Sequence, residues 1–328
     1  MKRLLQQLTQ IPGPSGYEHQ IREAVREMVA PHADEITTDA LGNLIVRKGK
    51  VGQGKRIMLA AHMDEIGVMV SHIDENGFAR FAPIGGVRPA YCLGGRVRFL
   101  NGRVGVINQE KTADPAKTLS LDQMFIDLGG ADHGIKVGDV AAFDRTFADL
   151  GDRVVSKALD DRVGVAVLIR ALRQLESTPH EVYFVFSVQE EVGVRGATTA
   201  AFRLAPDVGI AVDVTGWGDT PNVPPMVDVA LGKGPAIKIR DGGMLADPRV
   251  VDWMISTAEK AKIPYQREVL LAGSTDARAI QLSRAGVPAG TISIPCRYVH
   301  SPSEMVDVHD AENAAALLAA MLSREVPF

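Results

Sequence analysis

Cysteine is nearly absent from this sequence of 328 residues, which contains only Cys92 and Cys296. Two thiols exclude a disulfide framework and a CxxC zinc knuckle, so we expect a reducing, cytoplasmic location. The chain also lacks an excess of positive charge, since its net charge is −4. Proteins that bind nucleic acid carry a basic surface, and we therefore expect no nucleic-acid partner.

Long apolar runs are missing as well. No stretch of about 18 apolar residues occurs, and the basic residues at the start of the chain are followed by polar ones rather than by the apolar core of a signal peptide. We therefore expect no membrane partner. The length is sufficient for one large domain or two medium ones, each with a buried core.

Hydrophobic periodicity predicts an α/β pattern in two separated segments. Apolar runs typical of buried strands lie at 57–61 and 182–188, and further strands are predicted at 208–214 and 289–294. Between the first run and the others, short β-like runs alternate with Gly-rich turns. We therefore predict an α/β domain made of residues 1–70 and 153–328, with a β-rich domain inserted at residues 71–152.

The first candidate site follows the apolar run at 57–61. His62 and Asp64 lie two residues apart, so both side chains point the same way in an extended chain. His62 can then bind a metal ion while Asp64 orients its ring. A turn that contains a polar histidine is the alternative.

Acidic residues at comparable places give further candidates. Asp160-Asp161 opens an apolar helix, where helix capping is the alternative. Glu190-Glu191 follows the run at 182–188, where a solvated loop is the alternative. Asp213 ends another strand, and His300 lies six residues beyond a further one.

Two histidines and several carboxylates thus lie beside strand ends, where open α/β sheets bind ligands. This donor set suits a pair of zinc or similar divalent ions that share one bridging carboxylate. Such a pair activates water and stabilises an oxyanion, and a carboxylate free of metal can act as the base. The residues therefore predict a two-metal hydrolase.

Four motifs resemble the signatures of metallopeptidase family 42, the tetrahedral, glutamyl or deblocking aminopeptidases. They are HMDEIG at 62–67, ALDDR at 158–162, EEVGVRGA at 190–197 and RYVHS at 297–301. Gly85-Gly86 and the LGGRV sequence at 93–97 add to the resemblance, which covers nearly the whole chain in the right order.

The resemblance implies both a fold and a set of site residues. The fold would be α/β, with a central mixed sheet flanked by helices as in zinc exopeptidases and an inserted small β-barrel or PDZ-like domain. The metal ligands would be His62 and Asp213 for one ion, Glu191 and His300 for the other, and Asp160 as the bridge. Glu190 would be the general base, Asp64 would orient His62, and the Asp160–Asp161 peptide bond would be cis.

The implied activity is a metal-dependent aminopeptidase that hydrolyses N-terminal residues from peptides. Two divalent ions, zinc or cobalt or manganese, would activate a bridging water that Glu190 deprotonates. A deacylase or other amidohydrolase on the same scaffold is the alternative. All seven expected site residues are present, which argues against a non-catalytic scaffold.

Further expectations concern the substrate pocket and the assembly. Ser274, Thr275 and Asp276 resemble a family stretch near the substrate pocket, although a helix start capped by Ser274 or Thr275 is an alternative. The inserted domain would make dimers, and six dimers would form a tetrahedral dodecamer. The preferred N-terminal residue, the metal, the choice between dimer and dodecamer and the role of His133 stay open.

Overall fold

Helices and strands alternate through most of the computed structural model, which describes residues 1–111, 120–222 and 228–328. The helices are α1 (Lys2–Gln10), α2 (His19–Val29), α3 (Pro89–Cys92), α4 (Leu159–Gln174), α5 (Arg195–Leu204), α6 (Pro248–Ala261), α7 (Asp276–Gln281) and α8 (Val308–Leu322). Within these residues, every helix is too short or too polar to cross a membrane.

The strands form two separate sheets. They are β1 (Glu35–Thr38), β2 (Leu44–Lys48), β3 (Arg56–His62), β4 (Gly67–Ile73), β5 (Phe78–Ile84), β6 (Arg96–Phe99), β7 (Val104–Gln109), β8 (Met124–Asp127), β9 (Val140–Phe143), β10 (Ala148–Asp149), β11 (Arg153–Ser156), β12 (Glu181–Ser187), β13 (Val208–Thr215), β14 (Ala236–Arg240), β15 (Gln266–Val269), β16 (Ala289–Arg297) and β17 (Glu304–Asp307).

The larger sheet is mixed and has the strand order β1-β2-β12-β3-β13-β16-β17-β11-β10, with β14 and β15 attached beside β16. Its four central strands, β12, β3, β13 and β16, are parallel to one another. Their carboxyl ends therefore meet at one edge of the sheet, where ligands bind in open α/β folds.

Helices cover both faces of this sheet, and alternation along β3 shows how the sequence achieves it. Ile57, Leu59 and Ala61 pack into the main core with residues of α1, α4, α6 and α8. Met58 and Ala60 point the other way, into a smaller core with residues of α5 and α7. The continuous apolar run thus buries both faces of a central strand, as expected.

The smaller sheet is a closed barrel with the strand order β4-β5-β8-β7-β6-β9 and its own apolar core. Its strands run from Gly67 to Phe143, whereas the predicted domain boundary after residue 70 falls inside β4. The α/β fold with an inserted barrel, which the sequence predicted, is confirmed. Residues 112–119 of the predicted insertion lie outside the described residues.

The start of α4 differs from the helix that the sequence predicted. Asp160 and Asp161 lie within its bounds, but both have non-helical backbone angles, with ψ of 107° and 37°. The peptide bond between them is cis. Asp161 caps the helical part of α4, because its Oδ1 accepts from the Gly164 N–H at 3.0 Å, so the capping alternative holds for Asp161. Asp160 instead faces His62, with its Oδ1 3.1 Å from the ring Nε2.

Candidate active site

The candidate residues meet at the carboxyl edge of the four parallel strands. His62 ends β3, and Asp213 lies near the end of β13. Glu190-Glu191 follows β12, and His300 follows β16. The sheet order therefore brings together residues that are up to 238 positions apart, and α4 adds Asp160 from the same side.

Asp160 lies between the two histidines. Its Oδ1 is 3.1 Å from Nε2 of His62, and its Oδ2 is 3.3 Å from Nε2 of His300. Each carboxylate oxygen therefore faces a different imidazole, which is the arrangement that a bridging ligand needs.

Two groups of metal-ligating atoms share this carboxylate. One consists of His62, Asp160 and Asp213, and the other of Asp160, Glu191 and His300; within each group the ligand atoms lie within 4.8 Å of one another. Imidazole nitrogens and carboxylate oxygens are ordinary zinc ligands. Among the described residues, Glu191 Oε1 has no hydrogen-bond partner although it is buried, which suits an atom that binds an ion. The residues therefore fit two divalent ions.

The pKa values of the ionisable groups in the site support the same interpretation. Burial raises the pKa of Glu190 well above its usual value, and it raises the pKa of Asp213 to about 8, with Asp160 adding to the effect. Burial lowers the pKa of His300, but the Asp160 and Glu191 carboxylates outweigh it and bring that pKa to about 11. Crowded, desolvated carboxylates keep protons until a cation neutralises them. The site is thus suited to positive ions.

Asp64 fixes both the first imidazole and the loop after β12. Nδ1 of His62 lies 3.1 Å from the Asp64 carbonyl oxygen and 3.4 Å from Asp64 Oδ1. The backbone N–H groups of Glu190 and Glu191 donate to the same carboxylate at 3.0 and 3.1 Å. The Ser15 hydroxyl donates to it at 2.6 Å. Asp64 is fully buried and does not line the cavity, so its contacts are positioning contacts.

Sequence reasoning missed Glu304, on β17. Its Oε2 accepts from the Asp160 N–H at 2.9 Å, and its Oε1 accepts from the His300 N–H at 2.8 Å. One buried carboxylate thus fixes the backbone of two residues in the same ligand group. Its place four residues after His300, in a polar stretch of chain, was the only available signal.

A cavity of about 560 Å³ opens over these groups. Ser274 and Thr275 line it, but Asp276 does not, because its buried carboxylate accepts from the Ser187 hydroxyl below the cavity wall. Thr275 also caps α7 by accepting from the Ala277 N–H at 3.3 Å. Of the three predicted substrate-binding residues, the structure therefore brings only two to the cavity surface.

The barrel forms one wall of this cavity. Gly86 and Arg88 line it, and a Cβ atom at Gly86 would collide with the His300 ring. Only glycine therefore lets the barrel approach the histidine this closely. His133 lies elsewhere on the barrel, where its Nδ1 accepts from the Ile135 N–H at 3.0 Å.

Comparison with protein families gives a match over most of the chain. The family described as M42 glutamyl aminopeptidase matches residues 42–317. A putative aminopeptidase from Acetivibrio thermocellus is 50% identical, over 96% of each chain. A lysyl aminopeptidase from Pyrococcus furiosus is 36% identical, over 99% of this chain and 97% of the relative.

Two solved structures also match nearly the whole of this chain. An aminopeptidase from the archaeon Desulfurococcus kamchatkensis superposes with a TM-score of 0.94 and 45% identity, covering 99% of this chain and 95% of its own. The TET1 peptidase of Pyrococcus horikoshii, which can assemble into a tetrahedron or a large octahedral shell, gives a TM-score of 0.87 and 34% identity over 98% of each chain.

Proposed function

This chain belongs to the M42 glutamyl aminopeptidase family and is an aminopeptidase, and we propose that it removes N-terminal residues from peptides at a two-metal site. One observation carries the proposal. Asp160 is shared by two groups of ligand atoms, each of which has one histidine and one further carboxylate. Glu190 lines the same cavity without belonging to either group.

The two ions would be held by five side chains. His62 and Asp213 would bind one ion, Glu191 and His300 the other, and Asp160 both. Divalent ions in such a site, zinc or cobalt or manganese, lower the pKa of water and stabilise negative charge on a carbonyl oxygen.

Glu190 is the general base of the proposed reaction. Its backbone N–H donates to Asp64, whereas its carboxylate has no hydrogen bond to another described residue and faces the cavity. Burial favours its protonated form, so it can accept a proton from the attacking water and then give it to the leaving amine. Glu191 cannot take this role while its charge neutralises an ion.

The assembly proposed for this chain follows its relatives. The barrel would make dimers, and six dimers would form a tetrahedral dodecamer, in keeping with the tetrahedron of the Pyrococcus horikoshii peptidase. A cytoplasmic location stays a prediction from the cysteine content.

A pair of neighbouring substitutions tests the mechanism. We expect Glu190→Gln to lower kcat about 10²- to 10⁴-fold with unchanged metal content, because it removes the base and keeps the shape. We expect Glu191→Gln to lower metal content instead, so that added metal partly restores activity. Metal analysis and rates on an aminoacyl p-nitroanilide measure both effects.

Two kinds of substrate distinguish aminopeptidase activity from the deacylase alternative. Aminoacyl p-nitroanilides report aminopeptidase activity, and N-acyl amino acids report the deacylase alternative. Glu190→Gln with wild-type turnover and full metal content would contradict the role of Glu190. Turnover of N-acyl amino acids alone would contradict the proposed function.

A further inference from the structure

Three consecutive backbone N–H groups follow β12, and two buried carboxylates hold all three. Asp64 accepts from Glu190 at 3.0 Å and from Glu191 at 3.1 Å. Oε1 of Glu18 accepts from Gln189 at 3.1 Å. Two side chains that belong to neither group of ligand atoms therefore hold the backbone of the segment that carries Glu190.

Glu18 lies at the N-terminal end of α2 and is only 4% exposed. The same Oε1 accepts from the Gly16 N–H at 2.7 Å, so the carboxylate is tied to its own turn as well as to Gln189. A second hydrogen bond holds this turn in place, because the neighbouring Ser15 hydroxyl donates to Asp64 at 2.6 Å. Residues 13–18 thus form a fixed support beneath the segment after β12.

The backbone of residues 189–191 needs these hydrogen bonds to keep its conformation. Gln189 has a left-handed backbone with φ of 57°, which is uncommon for a residue other than glycine. Immediately after it, the Glu190 carbonyl oxygen accepts from Gly193 and Val194, both at 2.9 Å. Among the described residues, Glu18 is the acceptor that the Gln189 N–H has, and this N–H is partly buried, so the loss of its acceptor is unfavourable. Without Glu18, the backbone at Gln189 is free to relax and carry Glu190 with it.

We propose that Glu18 is a positioning residue for the general base Glu190, which it holds in place through the Gln189 N–H. This inference rests on the proposed function, because it takes Glu190 as the base. Glu18 does not line the cavity and belongs to neither group of ligand atoms, and its hydrogen bond to this segment goes to the backbone N–H of Gln189.

Two substitutions at this position, with a control elsewhere on the helix, give the first test. Glu18→Ala removes the acceptor, and we expect kcat on leucine p-nitroanilide to fall roughly 10- to 100-fold, since a misplacement of about 1 Å can cost 10²-fold. We expect KM, metal content and the thermal midpoint to stay close to wild type. Glu18→Gln keeps an oxygen that accepts the N–H, so it should recover most of the rate. Glu27→Ala, an exposed glutamate on the same helix, is the matched control and should have no effect.

Glu18→Asp is the second variant in case the alanine variant does not fold. It keeps the charge but is one methylene shorter, so its oxygen withdraws from Gln189. We expect kcat to fall in Glu18→Asp and to be retained in Glu18→Gln, since position rather than charge is decisive. The reverse order of the two rates would overturn the proposal.

A double-mutant cycle separates positioning from general damage. If Glu18 acts through Glu190, adding Glu18→Ala to Glu190→Gln should lower kcat no further, whereas independent effects add. Amide hydrogen exchange on the metal-free protein gives a readout besides activity: we expect faster exchange at Gln189, Glu190 and Glu191 in Glu18→Ala, with α4 unchanged.

Several results would overturn this inference while leaving the proposed function standing. They are wild-type kcat in folded Glu18→Ala, additive losses in the cycle, or a loss of bound metal that accounts for the loss of rate. Failure of the proposed function has a different signature, since Glu190→Gln alone would then keep wild-type turnover.

Discussion

At the scale of single residues, the acids of this site differ in what their oxygens accept. Glu304, Asp64 and Glu18 each accept backbone N–H groups, which makes them supports. In the part of the chain that the structure describes, no backbone N–H donates to the carboxylates of Glu190 and Glu191, and both residues line the cavity. For these five acids the hydrogen-bond partners therefore distinguish the supports from the groups that face the cavity, whereas Asp213, a proposed ligand, also accepts from the Val214 N–H at 2.7 Å.

Glu304 gives a prediction at this scale. Glu304→Gln replaces one accepting oxygen by an amide NH₂, so either Asp160 or His300 loses its backbone acceptor. Outer hydrogen-bond partners of metal ligands typically contribute 10- to 100-fold to metal affinity, and we expect a loss of about that size. Competition with a chelator measures it, and Glu325→Gln, at an exposed position near the end of the chain, is the control. Unchanged affinity for both ions would contradict this role.

At the scale of elements, α8 begins with two acids that have different functions. Asp307 caps the helix by accepting from the His309 N–H at 3.0 Å. Asp310 is fully buried and accepts from Gly232 and Gly234, at 2.8 and 2.7 Å. The first turn of the helix thus holds the loop that leads into β14. Burial raises the pKa of Asp310 to about 6, despite these two bonds.

This raised pKa predicts a pH-dependent stability. An acid whose pKa is higher in the folded state stabilises the fold below its unfolded value of about 3.9, and the contribution is lost as pH rises through about 6. We expect the stability of wild type relative to Asp310→Asn to fall by up to about 3 kcal/mol between about pH 4 and pH 7.

Urea unfolding of both proteins across this range is the measurement. Asp310→Asn has one hydrogen-bond acceptor fewer at every pH, which lowers its stability by a constant amount. The test is therefore whether the difference in unfolding free energy between the two proteins changes with pH. Asp252→Asn, at an exposed position of α6, is the matched control. A difference that stays constant with pH would refute the assignment to Asp310.

At the scale of the whole molecule, two chain segments that lie side by side connect the barrel to the α/β unit. β4 pairs with β9, so that Gly67 lies opposite Ala142. Paired residues in antiparallel strands are about 5 Å apart. All five proposed metal ligands belong to the α/β unit, whereas Gly86 and Arg88 of the barrel form part of the cavity wall.

Removal of the barrel tests its proposed part in assembly. A short Gly/Ser linker can replace residues 67–143, because the two ends are close. We expect this variant to be monomeric by light scattering and to keep its metal content, and we expect wild type to form the proposed large oligomers. Recovery of intact large oligomers from the shortened chain would show that the contacts lie elsewhere.

Strongly patterned elements are the part of the fold that local sequence predicts well. The strands predicted at 57–61, 182–188, 208–214 and 289–294 correspond to β3, β12, β13 and β16. Other elements escaped prediction. The strand β14 is short, and α5 carries few large apolar residues, so neither has a clear period. Both are fixed instead by packing against elements distant in sequence.

The sequence by itself determined the family, the α/β pattern and the seven residues expected in the site, since each motif is a local pattern of chemistry. Only the tertiary structure decided that Asp160 faces both histidines, that Asp276 lies behind the cavity wall and that Glu304 and Glu18 support the site. These facts depend on strand order, which places β12 between β2 and β3, and on hydrogen bonds between residues as far apart as Glu18 and Gln189. Pairing over such separations is set by the burial of whole faces of the sheet, which no short stretch of sequence contains.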